Sequence, residues 1–247
     1  MTPSPPIIAA TQIETALRSH GHAVLGPQGT SELLQLPLEA LAALPPFWNH
    51  LPPDAYLRDG GRYRRRRHAS FIVEGGAVQA VVHRAHWQPL AYNALHGGLE
   101  RWFEPIAPEA VALPVWPQLL RTLAGLASAL KGAQRWHVEA HQFRIDTTEG
   151  IGRPTPEGAH RDGVDFVAVL LVARHAIKGG ETRVFEAEGP QGIRFTMTEP
   201  WSALLIDDER VIHESTPIQP TDPAAAEQGY RDTLVITLRA GAFLDAA

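Results

Sequence analysis

Cysteine is absent from the 247 residues. That removes disulfides and thiolate metal sites together, so a bound metal must be held by nitrogen and oxygen donors. Long apolar runs are missing too, and none approaches the ~20 residues that a membrane-spanning helix needs. The opening stretch, MTPSPPIIAATQIETALRSHG, has no basic start and no apolar core. No signal peptide is therefore expected, and a soluble cytoplasmic protein is the default expectation. Positive charge is in deficit: 22 Lys and Arg against 27 Asp and Glu give a net charge of -5. That balance disfavours a protein built to coat nucleic acid or an anionic membrane. Internal repeats and low-complexity tracts are also lacking.

The chain does carry twelve histidines and six tryptophans, within an ordinary globular composition of 44% hydrophobic and 20% charged residues. Spacing has to say which histidines matter. Thr11 followed by Glu14 fits a capping box opening a short helix that stops near Gly21. Residues 22–25 read as a strand, and residues 36–44 as a second short helix closed by Pro45 and Pro46. Residues 62–73 are extended in character and pair with 77–83 across Glu74-Gly75-Gly76. Trp116, Leu119, Leu120, Leu123, Leu126, Ala127 and Leu130 recur at helical spacing before Gly132. Beyond it, residues 136–145, 164–173, 182–186, 192–197, 203–206 and 233–239 are short and strand-like, separated by Gly and Pro. Such strands without intervening helices indicate an antiparallel sandwich or barrel. One domain is expected over residues 1–247, with an α+β portion at 1–131 and a β portion at 132–247.

The pattern that carries chemistry is His160-Arg161-Asp162. Side chains two apart on an extended segment share a face, and the same parity would carry Val164, Phe166 and Ala168 inward. His213 is the best third partner. Two imidazoles and one carboxylate form the facial ligand set of non-haem iron(II) sites, which leaves positions open for a chelating 2-oxo acid and dioxygen. An isolated H-x-D arises by chance in many chains, and the competing reading is a loop salt bridge with His213 on the surface. Eighteen residues after His213, Arg231 and Thr233 share one face of a strand. A guanidinium fork plus a hydroxyl suits a distal carboxylate; the competing reading pairs Arg231 with Asp222 or Asp232.

His160-Arg161-Asp162-Gly163-Val164-Asp165, Gly179-Gly180-Glu181-Thr182, His213-Glu214-Ser215-Thr216-Pro217 and Tyr230-Arg231-Asp232 together resemble a bacterial 2-oxoglutarate–iron dioxygenase family. That family includes free L-isoleucine hydroxylases and a biofilm- and stress-associated protein. The resemblance runs from about Arg62 to Leu238. It implies a mostly β fold, a double-stranded β-helix (jelly-roll) core with N-terminal helices packed on it. It also implies Fe(II) on His160, Asp162 and His213, and 2-oxoglutarate on Arg231 and Thr233, with O2 as oxidant. Thr233 stands where a serine is usual, which keeps the hydroxyl. The expected activity is hydroxylation of a small molecule, an aliphatic L-amino acid being the candidate, with no nucleic-acid partner, no membrane partner and the oligomeric state open. The alternatives are a sensory or non-catalytic 2-oxoglutarate- and iron-binding protein of the same fold, and a cupin-like enzyme using another metal.

Three further groups stay open in sequence. Gln142 and Arg144 reach the ligands if Ala140, Gln142 and Arg144 face inward; otherwise Phe143 and Ile145 form the core face. The run Arg62-Tyr63-Arg64-Arg65-Arg66-Arg67 reads as a nucleic-acid contact, a half-solvated strand, or a strand with one arginine clamping a substrate carboxylate. His68, His83 and His86 hint at a second metal site but lack an obvious carboxylate, so ordinary core or surface histidines are expected.

Overall fold

Alternating strands pair with one another, and helices cover one outer face. This computed structural model describes residues 3–93 and 95–245. The chain runs through α1 (Ile13–His20), β1 (His22–Leu25), α2 (Pro27–Leu34), α3 (Leu38–Leu41), β2 (Arg64–Glu74), β3 (Ala77–Ala80), α4 (Pro108–Val111) and α5 (Val115–Lys131). It continues through β4 (Trp136–Asp146), β5 (Phe166–His175), β6 (Ile177–Gly179), β7 (Thr182–Glu186), β8 (Gly192–Phe195), β9 (Ala203–Asp207), β10 (Val211–Ser215), β11 (Ile218–Pro220) and β12 (Tyr230–Arg239). The major sheet has the order β1-β9-β5-β12-β4-β2-β3; β10-β7-β8 and β11-β6 form smaller sheets. All these pairings are antiparallel. The arrangement is the expected jelly roll, with β1, β2 and β3 from the first half of the chain built into the major sheet.

Two cores sit on opposite faces of that sheet. Towards the helices, Leu234, Ile236 and Leu238 of β12 and Val138 and Ala140 of β4 pack with Trp116, Leu119, Leu120 and Leu123 of α5. Each such leucine contributes about 2–3 kcal/mol by leaving water. Between the sheets, Val167, Leu171, Leu204 and Ile206 meet Val184, Phe195 and Val211. This second core occupies only one end of the sandwich, and the other end is a cavity that many polar side chains line. Among the described residues no helix is long and apolar enough to cross a membrane.

Local chemistry explains most element boundaries. The β2–β3 hairpin turns on Gly75 and Gly76, both at positive φ (56° and 81°), as a two-residue hairpin turn favours. The cap of the first helix differs from expectation. Gln12, not Glu14, reaches back, its Oε1 accepting from Ala9 N–H at 3.2 Å, while Glu14 pairs with Arg18 at 2.8 Å. Helix α2 starts at Pro27, well placed at a first helical position. It carries no strong apolar period, and the sequence reading passed over it. The helix expected at 36–44 shrinks to the single turn of α3, followed by a 3-10 turn at Pro45–Trp48. Strands β6, β10 and β11 also went unread, because three- to five-residue strands carry little periodicity.

Candidate metal and cosubstrate site

His160 and His213 meet because their backbones pair. Each peptide N–H donates to the other residue's carbonyl, at 3.0 and 2.9 Å, so the segment before β5 lies against β10. Asp162 follows two residues later. Its Oδ1 lies 3.8 Å from His160 Nε2 and its Oδ2 3.7 Å from His213 Nε2. The three donor atoms lie within 4.8 Å of one another. These separations are too long for hydrogen bonds, so the donors are not spent on one another.

Asp208 holds the turn that aims Asp162. Its carboxylate accepts from the backbone N–H groups of Asp162 (3.0 Å), Gly163 (2.8 Å) and Val164 (3.2 Å). Burial, and then the like charge of Asp162, push the Asp208 carboxyl pKa up. Gly163 sits at φ 78°, and a Cβ there would stand 2.4 Å from the Tyr92 ring. This bend ends the parity expected from His160 through Ala168. Val164 lines the cavity, but Phe166 and Ala168 face the helices.

The imidazoles suit metal ligation. His160 Nδ1 lies 2.9 Å from Gly158 O; donation there leaves the Nε2 lone pair facing Asp162. Burial lowers the His160 pKa, but the charges of Asp162 and Glu157 outweigh it and the net shift is upward. Burial, then neighbouring His160, pushes His213 down to about 3, so it stays neutral with a lone pair to give. Gln88 donates to Asp162 Oδ1 at 3.3 Å, and its own Oε1 accepts from Arg101 at 2.8 Å. The donor set, two imidazole nitrogens and a carboxylate oxygen, fits a facial non-haem iron site.

Arg231 and Thr233 line the same cavity from β12. Arg231 is buried, and its pKa falls to about 10, through burial first and then Arg174, a like charge. Neither acid that could have neutralised it does so. Asp232 forms a two-pronged pair with Arg144 (2.8 and 2.6 Å), and Asp222 accepts from Ala224 N–H at 2.9 Å. A buried guanidinium without a carboxylate calls for an anionic ligand.

Gln142 and Arg144, the candidate substrate contacts, do not join this cavity, a correction that decides between the two parities left open for β4. The odd residues Glu139, His141, Phe143 and Ile145 line it. Gln142 is fully buried with neither side-chain polar atom bonded, and Arg144 lies 4.2 Å over the Tyr230 ring. Both faces of β4 are buried, so polarity could not tell them apart. The arginine run alternates: Arg65 and Arg67 pair with Asp146 (3.5 Å) and Glu104 (2.9 Å), whereas Arg64 and Arg66 line the cavity. Arg64 binds Asp54 at 2.7 Å. Arg66 is sandwiched between the rings of Phe103 (3.7 Å) and Phe143 (4.3 Å) and reaches His141 Nδ1 at 2.7 Å.

A second histidine–carboxylate group is formed by His68, His86, Glu139 and His141, all buried, and its His86, Glu139 and His141 line the cavity. The carboxylate missing from the sequence reading is Glu139, 53 residues beyond His86. His83 stands apart, beside Trp102.

A family model described as 2OG-Fe dioxygenase matches residues 45–237. The crystal structure of a bsmA homolog from Methylobium petroleophilum PM1 is 50% identical, with a TM-score of 0.93, covering 100% of this chain and 99% of that one. The chain belongs to the 2OG-Fe dioxygenase family. The enzyme is therefore a 2-oxoglutarate-dependent non-haem iron dioxygenase whose cofactors are Fe(II), 2-oxoglutarate and O2. Two more distant structures share the dioxygenase's fold. IDO from Bacillus thuringiensis is 17% identical with a TM-score of 0.76, covering 96% of this chain and 100% of that one. The Fe(II)/α-ketoglutarate-dependent dioxygenase TqaL is also 17% identical, with a TM-score of 0.70, covering 93% and 86%. No curated protein matches the dioxygenase in sequence.

Asp208, Gln88, Arg101 and Glu139 escaped the sequence reading. Only Asp208 left a signal there, as half of an acidic doublet just before the strand that bears His213.

Proposed function

We propose that His160, Asp162 and His213 hold the Fe(II), that Arg231 and Thr233 hold the distal carboxylate of 2-oxoglutarate, and that the dioxygenase hydroxylates a small free amino acid. The observation that carries this is one cavity bordered by three unspent metal donors and an uncompensated buried guanidinium. Iron, 2-oxoglutarate and O2 together supply an oxidant strong enough to convert an unactivated C–H bond to an alcohol. The protein's part is to place and to seclude. Asp208 fixes the turn that presents Asp162, and Gln88 steadies its Oδ1. Arg231, reaching in from the major sheet opposite the triad, sets where a diacid must lie. Val164, Val169, Val235 and Phe143 give the cavity an apolar wall that excludes water and suits an aliphatic side chain.

Charge supports a dipolar substrate. The guanidiniums of Arg64, Arg66, Arg101 and Arg231 border the cavity with the acids Glu139, Glu157 and Asp162, and Asp54 is bonded to Arg64. The wall thus offers groups of both signs, so a zwitterion finds a partner for each of its charges, whereas a simple amine or acid leaves one unanswered.

The test is succinate formation from 2-oxoglutarate with iron(II) and ascorbate, across the twenty L-amino acids, with mass spectrometry of the amino acid. A product heavier by one oxygen is expected for at least one. A sensory protein of the same fold would bind 2-oxoglutarate anaerobically and give no such product.

A further inference from the structure

Glu139 is an unusual residue to find on a cavity wall. It is 6% exposed, yet it is kept as an acceptor by three N–H donors. His68 Nε2 (3.0 Å) and Arg84 (3.3 Å) take Oε1, and His86 Nδ1 (3.1 Å) takes Oε2. A carboxylate has about four acceptor positions, so one remains on Oε2. These contacts outweigh burial and hold the Glu139 carboxyl below the usual carboxylate range, while burial keeps His86 neutral, pushed down to about 3. A second unusual feature lies beside it. Arg66 and Arg101 are 3% and 2% exposed and both line the cavity, yet the Nε of each is buried without a partner among the described residues. Burying such a group unpaired is unfavourable, and more so when it is charged.

The strand register sets Glu139 apart from the cosubstrate anchor and puts Arg66 between the two. Across β12, β4 and β2, one row is Arg231–Ile145–Arg64, the next Thr233–Phe143–Arg66, then Val235–His141–His68, and the last Thr237–Glu139–Ser70. Arg231 and Glu139 therefore lie at opposite ends of the cavity floor. Arg66, bonded to His141, spans the two middle rows, and Arg101 is tied through Gln88 to Asp162.

We propose that the floor from Glu139 to Arg66 is a two-pole substrate site, in which Glu139 takes an ammonium group and Arg66 with Arg101 take a carboxylate. It rests on the amino-acid hydroxylase reading and adds the residues that make it selective. The Arg101–Gln88–Asp162 chain then sets the distance from the carboxylate to the metal ligands, so the same carbon of the substrate is always offered. A divalent cation is a poor occupant of the four-residue group. Arg66 lies 2.7 Å from His141 Nδ1 and Arg84 lies 3.3 Å from Glu139, and the first contact commits the Nδ1 lone pair to a guanidinium.

The test compares three probes on the wild type, Glu139→Gln and Arg101→Met: whichever of the twenty L-amino acids turns over best, its 2-deamino acid, and its carboxamide. The readout is probe-dependent hydroxylated product, as kcat and KM. Wild type should prefer the amino acid over both analogues by at least 100-fold in kcat/KM. Glu139→Gln should cut the preference over the deamino acid below 10-fold, chiefly through KM, and retain that over the amide; Arg101→Met should do the reverse. Because each readout is a ratio within one variant, a general loss of folded protein cannot imitate it. Hydroxylation by wild type with both preferences intact in both variants overturns the site assignment alone. Absence of hydroxylated product from wild type with all twenty amino acids sinks the underlying reading as well. A second equivalent of Fe(II) or Zn(II), bound by wild type and lost in Glu139→Gln, would show a metal site and overturn the proposal.

Discussion

Two histidine–carboxylate groups border one cavity, and they are built for opposite occupants. In the first, His160 and His213 stand 3.8 and 3.7 Å from the Asp162 oxygens, and the flanking charges are the acids Glu157, 3.6 Å from His160 Nε2, and Asp208. In the second, His68 and His86 stand 3.0 and 3.1 Å from Glu139, and the flanking charges are the guanidiniums of Arg66 and Arg84. Donors that bond each other, ringed by cations, repel a metal ion. Donors left unspent, ringed by carboxylates, invite one. Residue type alone would rank the second group, with three histidines, as the better metal site. Separation and neighbouring charge reverse that ranking.

The largest expected effect tests the contrast directly. Asp162→Ala should drop coupled turnover to background and abolish tight Fe(II) binding, whereas Glu139→Ala should still bind one Fe(II) per chain. Metal analysis after desalting reads both. Equal metal loss in the two variants would break the distinction. Next comes Arg231→Met, which removes the cation awaiting the cosubstrate. Losing one member of a buried charged pair costs about 3 kcal/mol, so 2-oxoglutarate should bind ~100-fold more weakly by anaerobic calorimetry. Glu139→Gln should change that affinity little.

The third effect is acid sensitivity of the metal-free protein. Burial lowers the pKa of His68, His86 and His141 below the ordinary 6.5, His86 to about 3. On acidification below pH 6.5 the unfolded chain takes up protons that the folded His86 refuses, until pH reaches about 3. Stability therefore rises with pH through that window and is lost as pH falls. The slope is at most about 1.4 kcal/mol per pH unit for each such histidine. Urea titrations between pH 7 and 4.5 should show it, and His86→Gln should flatten it by about one proton.

How much of this was legible in sequence follows from the same contrast. His160-x-Asp162 lies within one short segment, and His213 sits in a motif with Arg231 not far behind, so local spacing could find them. The second group draws on His68, His86, Glu139 and His141, brought together only by the β2–β4 register and a loop. Nothing local marks Glu139 as their partner. Parity left β4 undecided because that strand is covered on both faces, by helices on one and by the cavity on the other. It failed after Asp162 because Gly163 bends the chain, a backbone event that side-chain alternation does not record. Alternation did predict the arginine run, where one face is partly solvated and the two sides differ in kind.

The smallest effect isolates what the flanking charge contributes. Arg84 touches Glu139, pairs with the exposed Asp245 and lies 4.3 Å over the Phe243 ring. Arg84→Gln forfeits that cation–π contact, a largely solvated ion pair and the charge on one of the three donors to Glu139, while the glutamine amide can still donate, together about 1–2 kcal/mol, so the thermal midpoint should move by only a few degrees. The informative readout is metal stoichiometry. If one Fe(II) per chain is still the limit, the short His–Glu hydrogen bonds and Arg66 on His141 suffice to keep ions from the second group. If a second equivalent now binds, Arg84 was the element holding the two groups apart in function, and the contrast rests on that one guanidinium rather than on the packing of the cavity wall.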